Sequence, residues 1–290
     1  MALNLRKTIS DSLSRIATRN GLVLFTALLV GSAVQTELVT LLTTTYLPLT
    51  PAVPANPGVP GPAGSSLPGI VTAPTTLLGV FTGGVLTVPV RLVAVRTFVS
   101  NETDRIPEEF VFHRLGIATI HLMGATLAIV GTLLLTLFAA LVVAFFASVV
   151  FVALTEWTGV PDPIGDPALL TVVVLTLLVP SVFVGASLLF TTHEIAVRDK
   201  GILDAIYGSW GLTRGVRVQL TGLALLVVLG SGYSPATAVE ALPPALVAPI
   251  STICSTLTTF ATLVLVARLY RQRLQSAGED VEGILETGYP

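Results

Sequence analysis

Six long apolar runs, at 21–46, 70–95, 115–153, 169–192, 216–233 and 245–269, alternate with short polar stretches along the 290 residues. A helix crosses the hydrocarbon core with about 20 apolar residues, and each run meets or approaches that length. Lipid offers no hydrogen bonds to the backbone, so a spanning segment must be a helix or part of a closed barrel. The alternating pattern of barrel strands is absent here. The reading is an all-α polytopic membrane bundle of about six transmembrane helices with interfacial amphipathic helices. A cytoplasmic amphipathic helix over 1–19 precedes one membrane domain over 20–273, and an acidic cytoplasmic tail over 274–290 follows it.

The third run is long enough for two spans. Two spans, however, would put the acidic loop 154–168 inside and the basic stretch 193–217 outside. One span, continuous with a helix emerging into the cytoplasm, keeps all basic clusters together. Pro107-Glu108-Glu109 looks like that helix's first turn, with proline and acids where exposed N–H groups favour them. Gly124 and Gly131 are candidate bend points.

The polar positions set the orientation. All 15 Lys and Arg residues fall into four clusters: Arg6/Lys7/Arg15/Arg19, Arg91/Arg96/Arg105/Arg114, Arg198/Lys200/Arg214/Arg217 and Arg268/Arg271/Arg273. The loops 48–69, 154–168 and 231–241 contain none. The positive-inside rule then predicts a cell-membrane protein with both termini cytoplasmic. Composition agrees: with 11% charged residues and mean hydropathy +0.86, much of the surface must face lipid. The first run continues past the small pair Ser32–Ala33 to Leu47, so an uncleaved first span is expected rather than a secretory signal. Arg outnumbers Lys by 13 to 2, a usage resembling proteins of high-GC, salt-loving archaea. Net charge −2 argues neither for nor against a nucleic-acid partner, and none is expected. The lone Cys254 excludes an intrachain disulfide.

Three cytoplasmic stretches look amphipathic. Leu5, Ile9, Leu13 and Ile16 follow helical spacing, and Leu203, Ile206 and Trp210 form a second stripe opposite Lys200 and Asp204. Such helices lie in the interface with Trp at headgroup depth. The third stretch, from Pro107, is less regular. The chain therefore has a threefold rhythm of cytoplasmic helix, span out, outer loop and span back. Asp104…Arg114 and Asp204…Arg214 share a ten-residue spacing, thin evidence for a tandem repeat. Pro48, Pro51, Pro54, Pro57 and Pro60 recur every third residue, which suits a polyproline II connector or a stiff docking arm, with the connector favoured. The sequon at Asn101 lies on the cytoplasmic side and is expected to be unmodified. The acids Glu279, Asp280, Glu282 and Glu286 suggest a solvated end.

Ionisable residues inside spans are the default functional candidates. Glu37 is either a proton or cation site or a boundary residue of the first span, and the boundary reading is favoured. His121 follows His113 by eight residues, without an i+4 ligand partner, while His193 lies in another segment. No metal site is expected, and His121 is assigned to hydrogen bonding between helices. No nucleophile elbow, His-Glu-x-x-His or Walker loop is present, so no catalytic residue, cofactor or enzymatic activity is expected. Gly79-Val-Phe-Thr-Gly83 allows close helix packing. Pro89, Pro180 and Pro249 interrupt spans and read as kinks before they read as transporter breaks.

The segment 194–215 contains Leu203, Ala205, Ser209, Trp210, Leu212, Thr213, Arg214 and Gly215 in the order Leu-x-Ala, then Ser-Trp-x-Leu-Thr-Arg-Gly. It resembles the cytoplasmic segment of the glycerophosphoryl diester phosphodiesterase membrane-domain family and of related multi-pass proteins. Beyond it only the hydropathy pattern agrees. The resemblance implies a membrane module without known catalysis and supplies no catalytic residues. In that family the membrane part sometimes precedes a phosphodiesterase domain, which this chain is expected to lack. Physically, Trp210 would anchor at the interface. Thr213-Arg214-Gly215 would form the elbow into the fifth span, with Arg214 toward lipid phosphates or helix C-terminal carbonyls. The expected function is a non-catalytic module associated with membrane lipids, with a second copy or another membrane protein as further partners. A small-solute or ion transporter or channel is the alternative, and it would need Glu37, His121 and the proline kinks to converge on one cavity.

Overall fold

The computed structural model describes residues 5–46, 87–100, 102–158, 167–232 and 243–287, and among these the regular secondary structure is all helix. In order the helices are α1 (Leu5–Ile16), α2 (Arg19–Tyr46), α3 (87–99), α4 (Glu108–Phe112), α5 (Leu115–Thr158) and α6 (Pro167–Ser187). There follow α7 (Thr191–Arg198), α8 (Ile202–Leu212), α9 (Arg217–Gly232), α10 (Pro244–Ser276) and α11 (Val281–Thr287). The proline-rich stretch 48–69, Gly79–Gly83, Asn101 and most of the stretches 154–168 and 231–241 lie outside the described residues.

Three times a short helix turns directly into a long apolar one: α1 into α2, α4 into α5 and α8 into α9. Each elbow has a local cause. At the first, Thr18 Oγ1 donates to Arg15 O (2.7 Å) and accepts from the Gly21 amide (3.1 Å). A Cβ on Gly21 would stand 2.5 Å from the carbonyl oxygens of Arg15 and Ile16, so the chain can turn this tightly only with glycine there. The second elbow turns through Arg114 (φ 43°) and the third through Gly215 (φ 87°), both left-handed.

The protein core sits at the basic end of these helices. Leu24 and Leu28 of α2, Leu92 and Phe98 of α3, Leu122 and Ala125 of α5 and Leu220 of α9 are buried there. The second half of α10 joins them, with Phe260 meeting Phe25 at 5.6 Å and Phe98 at 5.5 Å between ring centroids. Toward the other end the apolar side chains turn outward: Leu135, Phe138, Phe145 and Phe146 of α5 are each more than 60% exposed. So large an exposed apolar surface is compatible with a membrane protein. Four segments are long and apolar enough to cross a membrane: Arg19–Leu38, Leu115–Phe151, Leu175–Arg198 and Pro249–Ser276.

Several sequence expectations meet a definite outcome. The third run is one unbroken helix of 44 residues, about 66 Å long. Its start packs beside α7 and α8, and the close approach of Gly124 to Ile202 shows that this lower part lies in the protein layer. The emergent helix is not continuous with it, because left-handed Arg114 ends α4 after five residues. Pro180 and Pro249 lie within α6 and α10 without ending either helix. The acidic tail is not a solvated end. It forms α11, which packs on α7 and α10 and buries Val281. The physical reason is pairing: Glu279 reaches Arg198, and Glu282 lies 2.8 Å from Arg271.

Gly21→Ala is expected to destabilise the protein by roughly 1–3 kcal/mol, the usual cost of overpacking against an immovable neighbour. Thermal denaturation in mild detergent reads this as a lowered Tm, whereas Gly222→Ala, inside α9 where an added Cβ meets nothing, does not lower Tm, because alanine suits a helix interior better than glycine.

Candidate functional site

The basic end holds a layer of buried charge in three knots. The first is built on Arg96, near the C-terminus of α3 and fully buried. Its Nε donates to Ala196 O (2.7 Å), and its Nη1 donates to Phe110 O (3.1 Å) and His113 O (2.9 Å). Nη2 lies 3.5 Å from Asp199 Oδ1, and the other oxygen of Asp199 lies 2.7 Å from His113 Nε2. Asp199 is left-handed (φ 51°), which ends α7 and turns its carboxylate toward the pair. A helix C-terminus exposes carbonyls without intrahelical partners, and Arg96 covers those of α4 and α7 at once.

The second knot is built on Glu194, also fully buried. Tyr270 Oη donates to its Oε1 at 2.7 Å. Its Oε2 takes Lys200 Nζ and, at 3.7 Å, Arg198 Nη1. A Cβ on Gly208 would fall 2.5 Å from Glu194 Oε2, so glycine there lets α8 pass against the carboxylate. Both oxygens are thus committed to cations or a hydroxyl, and the space beside them is filled. The arrangement suits a charge staple between α7, α8 and α10 and is poorly suited to a general base. His193 is buried between Phe190 and Tyr270, with ring centroids at 6.2 and 5.3 Å, and neither ring nitrogen has a hydrogen-bond partner among the described residues.

The third knot joins α1 to α10. Arg268 Nε donates to Asp11 Oδ2 (2.5 Å) and its Nη1 to Phe98 O (3.2 Å). One turn on, Arg271 donates to Val99 O (2.7 Å) and to Glu282. Arg273 Nε donates to Leu212 O (3.1 Å), capping α8. Burial, then the nearby Arg268, push the Arg15 guanidinium below its ordinary value. Between α1 and α10 lies an open groove of about 540 Å³, lined by Lys7, Thr8, Asp11, Arg268, Arg271, Gln272 and Gln275.

A family model described as a domain of unknown function (DUF7847) matches residues 3–273. The chain belongs to the DUF7847 family. The match takes in all three knots but stops before the tail acids that pair with Arg198 and Arg271. No curated protein and no solved structure matches the chain.

Within this DUF7847 chain the residues singled out from sequence lie apart. Trp210 and Arg214 stand at the α8–α9 elbow, both exposed. Trp210 is engaged by Arg217, whose guanidinium lies 4.0 Å from the ring centroid and donates to Trp210 O at 2.8 Å. Arg214 instead offers its carbonyl to Arg273 (3.3 Å). Glu37 is exposed on α2, about 27 Å beyond Arg19, whereas His121 is about 9 Å into α5 from the opposite, basic end. The structure does not bring these two together. His121 is half-buried and makes no hydrogen bond among the described residues.

The sequence reading missed Arg96, Asp199, Glu194 and Tyr270. Glu194 did carry a local signal, since Arg198 follows at i+4. Arg96 carried none, because three of its partners among the described residues are backbone carbonyls.

Arg96→Met leaves Asp199 and those carbonyls without their cation and is expected to cost roughly 3–5 kcal/mol. Tyr270→Phe removes one hydroxyl from a buried carboxylate and is expected to cost about 1–3 kcal/mol. Thermal denaturation in detergent should rank Arg96→Met well below Tyr270→Phe.

Proposed function

We propose that this chain is a non-catalytic membrane module of six spans, both termini cytoplasmic, that seats a collar of short helices in the cytoplasmic leaflet and associates with lipid. Two further spans, the run 70–95 ending in α3 and helix α9, join the four long apolar segments and keep every basic cluster on one side.

The observation that carries this reading is the orientation of α1 and α8. An amphipathic helix on a soluble protein turns its apolar face inward. Here α1 buries Thr8 and Ser12 and leaves Ile9 and Leu13 outside, Leu13 at 63% exposure. Helix α8 buries Ala205 and Ser209 and turns out Leu203, Tyr207 and Trp210. The outward stripe is therefore Leu203-Tyr207-Trp210, with Ile206 half-buried. Exposed Phe112 on α4 adds a third outward apolar group. Apolar faces beside Arg and Lys, with Trp and Tyr among them, suit the boundary between acyl chains and headgroups. The sequence resemblance of 194–215 to a membrane-domain segment points the same way. A transporter would need a shared polar path, and Glu37 and His121 lie toward opposite ends of their helices.

Depth-resolved quenching tests the seating of α8. In Trp157→Phe, Trp210 is the sole tryptophan. In vesicles of brominated phosphatidylcholine its fluorescence is expected to fall more with bromine near the headgroup end of the acyl chain than near the terminal methyl. No quenching at either depth would exclude an interfacial α8.

A further inference from the structure

We propose that the groove between α1 and α10 is a phosphate-binding site, and that Glu282 of the tail helix acts as its built-in competitor. Three cations, Lys7, Arg268 and Arg271, line the groove against the single carboxylate of Asp11. Asp11 is held by Arg268 and Glu282 by Arg271, so three cations face two carboxylates and the balance at the groove is positive. Gln272 and Gln275 add amide donors along the α10 wall. A volume of about 540 Å³ falls within the usual range for small-ligand pockets. Its polar lining suits a hydrated anion better than an acyl chain. A second groove, lined by Arg6, Lys7, Ser10, Asp11 and Ser14, shares Lys7 and extends the basic surface along α1.

Arg271 supplies the regulatory element. It gives one nitrogen to Val99 O and the other to Glu282 Oε1 at 2.8 Å. Glu282 is half-exposed and comes from α11, beyond the helix that forms the groove wall. Its carboxylate occupies the cation that a phosphate would use, and a phosphate, an anion with further acceptor oxygens, competes for the same fork. The tail thereby sets the affinity of the groove without closing it.

The same chemistry has two sources. Outward Ile9 and Leu13 on α1 put the groove at headgroup depth, which favours an anionic lipid phosphate. That part rests on the membrane seating proposed above. A free phosphate from the cytoplasm would use the same donors.

The test uses the full chain in neutral detergent, titrated separately with phosphatidylglycerol, phosphatidylcholine and inorganic phosphate. Bound stoichiometry is read by native mass spectrometry and protection by Tm. One phosphatidylglycerol per chain, without phosphatidylcholine or inorganic phosphate, assigns the headgroup; saturable protection by inorganic phosphate assigns the soluble source. In either case Lys7→Gln is expected to weaken binding about fivefold, the worth of one basic residue at an anionic surface. Glu282→Gln is expected to tighten it about twofold to fivefold, the scale of an exposed ion pair. Lys7 is exposed, and in Glu282→Gln the tail helix keeps buried Val281 and the Glu279–Arg198 pair, so the fold tolerates either change. Absence of binding in the phosphatidylglycerol and phosphate arms, or binding indifferent to both variants, overturns the site. Phosphate binding sensitive to Lys7→Gln, together with unquenched Trp210, would leave the groove standing and remove the interfacial collar.

Discussion

A guanidinium with no access to water must find partners for its donors inside the protein, and Arg96 finds them in three separate segments. It covers the ends of α4 and α7 and faces Asp199 between α7 and α8. Stripping a cation of water costs several kcal/mol, and only a nearly complete set of acceptors offsets it. That requirement holds α3, the α4–α5 elbow and α7 in one arrangement. The device recurs on the other side of the layer. Arg268 and Arg271 cover the last carbonyls of α3, and Arg273 covers those of α8. Each exploits the partial negative charge at a helix C-terminus.

This layer matters more than it would in a water-soluble protein. Between apolar helices in lipid there is no hydrophobic gain from association, because acyl chains solvate Leu and Val as well as a neighbouring helix does. The exposed upper part of α5 illustrates it: Leu134, Phe138 and Val150 gain little by turning inward. Specific helix placement therefore has to come from polar contacts and close packing, and both are concentrated at the basic end. There Glu194 joins α7 to α10 and α8, and Gly208 removes the side chain that would hold α8 away.

How much of this was legible in the sequence follows from the range of each interaction. Helix bodies are a local property. The runs 21–46 and 216–233 correspond to α2 at Arg19–Tyr46 and α9 at Arg217–Gly232, because apolar length alone sets them. The elbow at Thr213–Gly215 was legible for the same reason, glycine being the residue that takes φ 87° there without strain. The roles of the arginines were not. Their clustering reads as a topology signal, yet Arg96 and Arg268 are buried caps on carbonyls distant in sequence, and a carbonyl oxygen has no residue identity to detect. The tail misled in the same way. Its acids have no base within reach along the chain, and their partners Arg198 and Arg271 meet them only once α10 has returned. Trp210 stands at the α8–α9 elbow, where its cation is Arg217, across the turn, and Arg214 points its carbonyl elsewhere.

The saturation of the layer also bears on where activity can reside. A carboxylate that relays protons or binds a mobile cation needs an acceptor site left open, or a partner that can leave. Glu194 has neither: Tyr270 holds one oxygen, Lys200 and Arg198 hold the other, and the wall at Gly208 admits no further atom. Arg96 is likewise spent on carbonyls and on Asp199. The groups able to exchange partners stand at the rim, where Lys7, Arg271 and Glu282 border the groove, and where Arg217 and Trp210 flank the α8–α9 elbow. Rigidity inside and exchangeable charge at the edge are complementary. Arg271 belongs to both, since one nitrogen caps Val99 O in the buried layer and the other meets Glu282 at the rim.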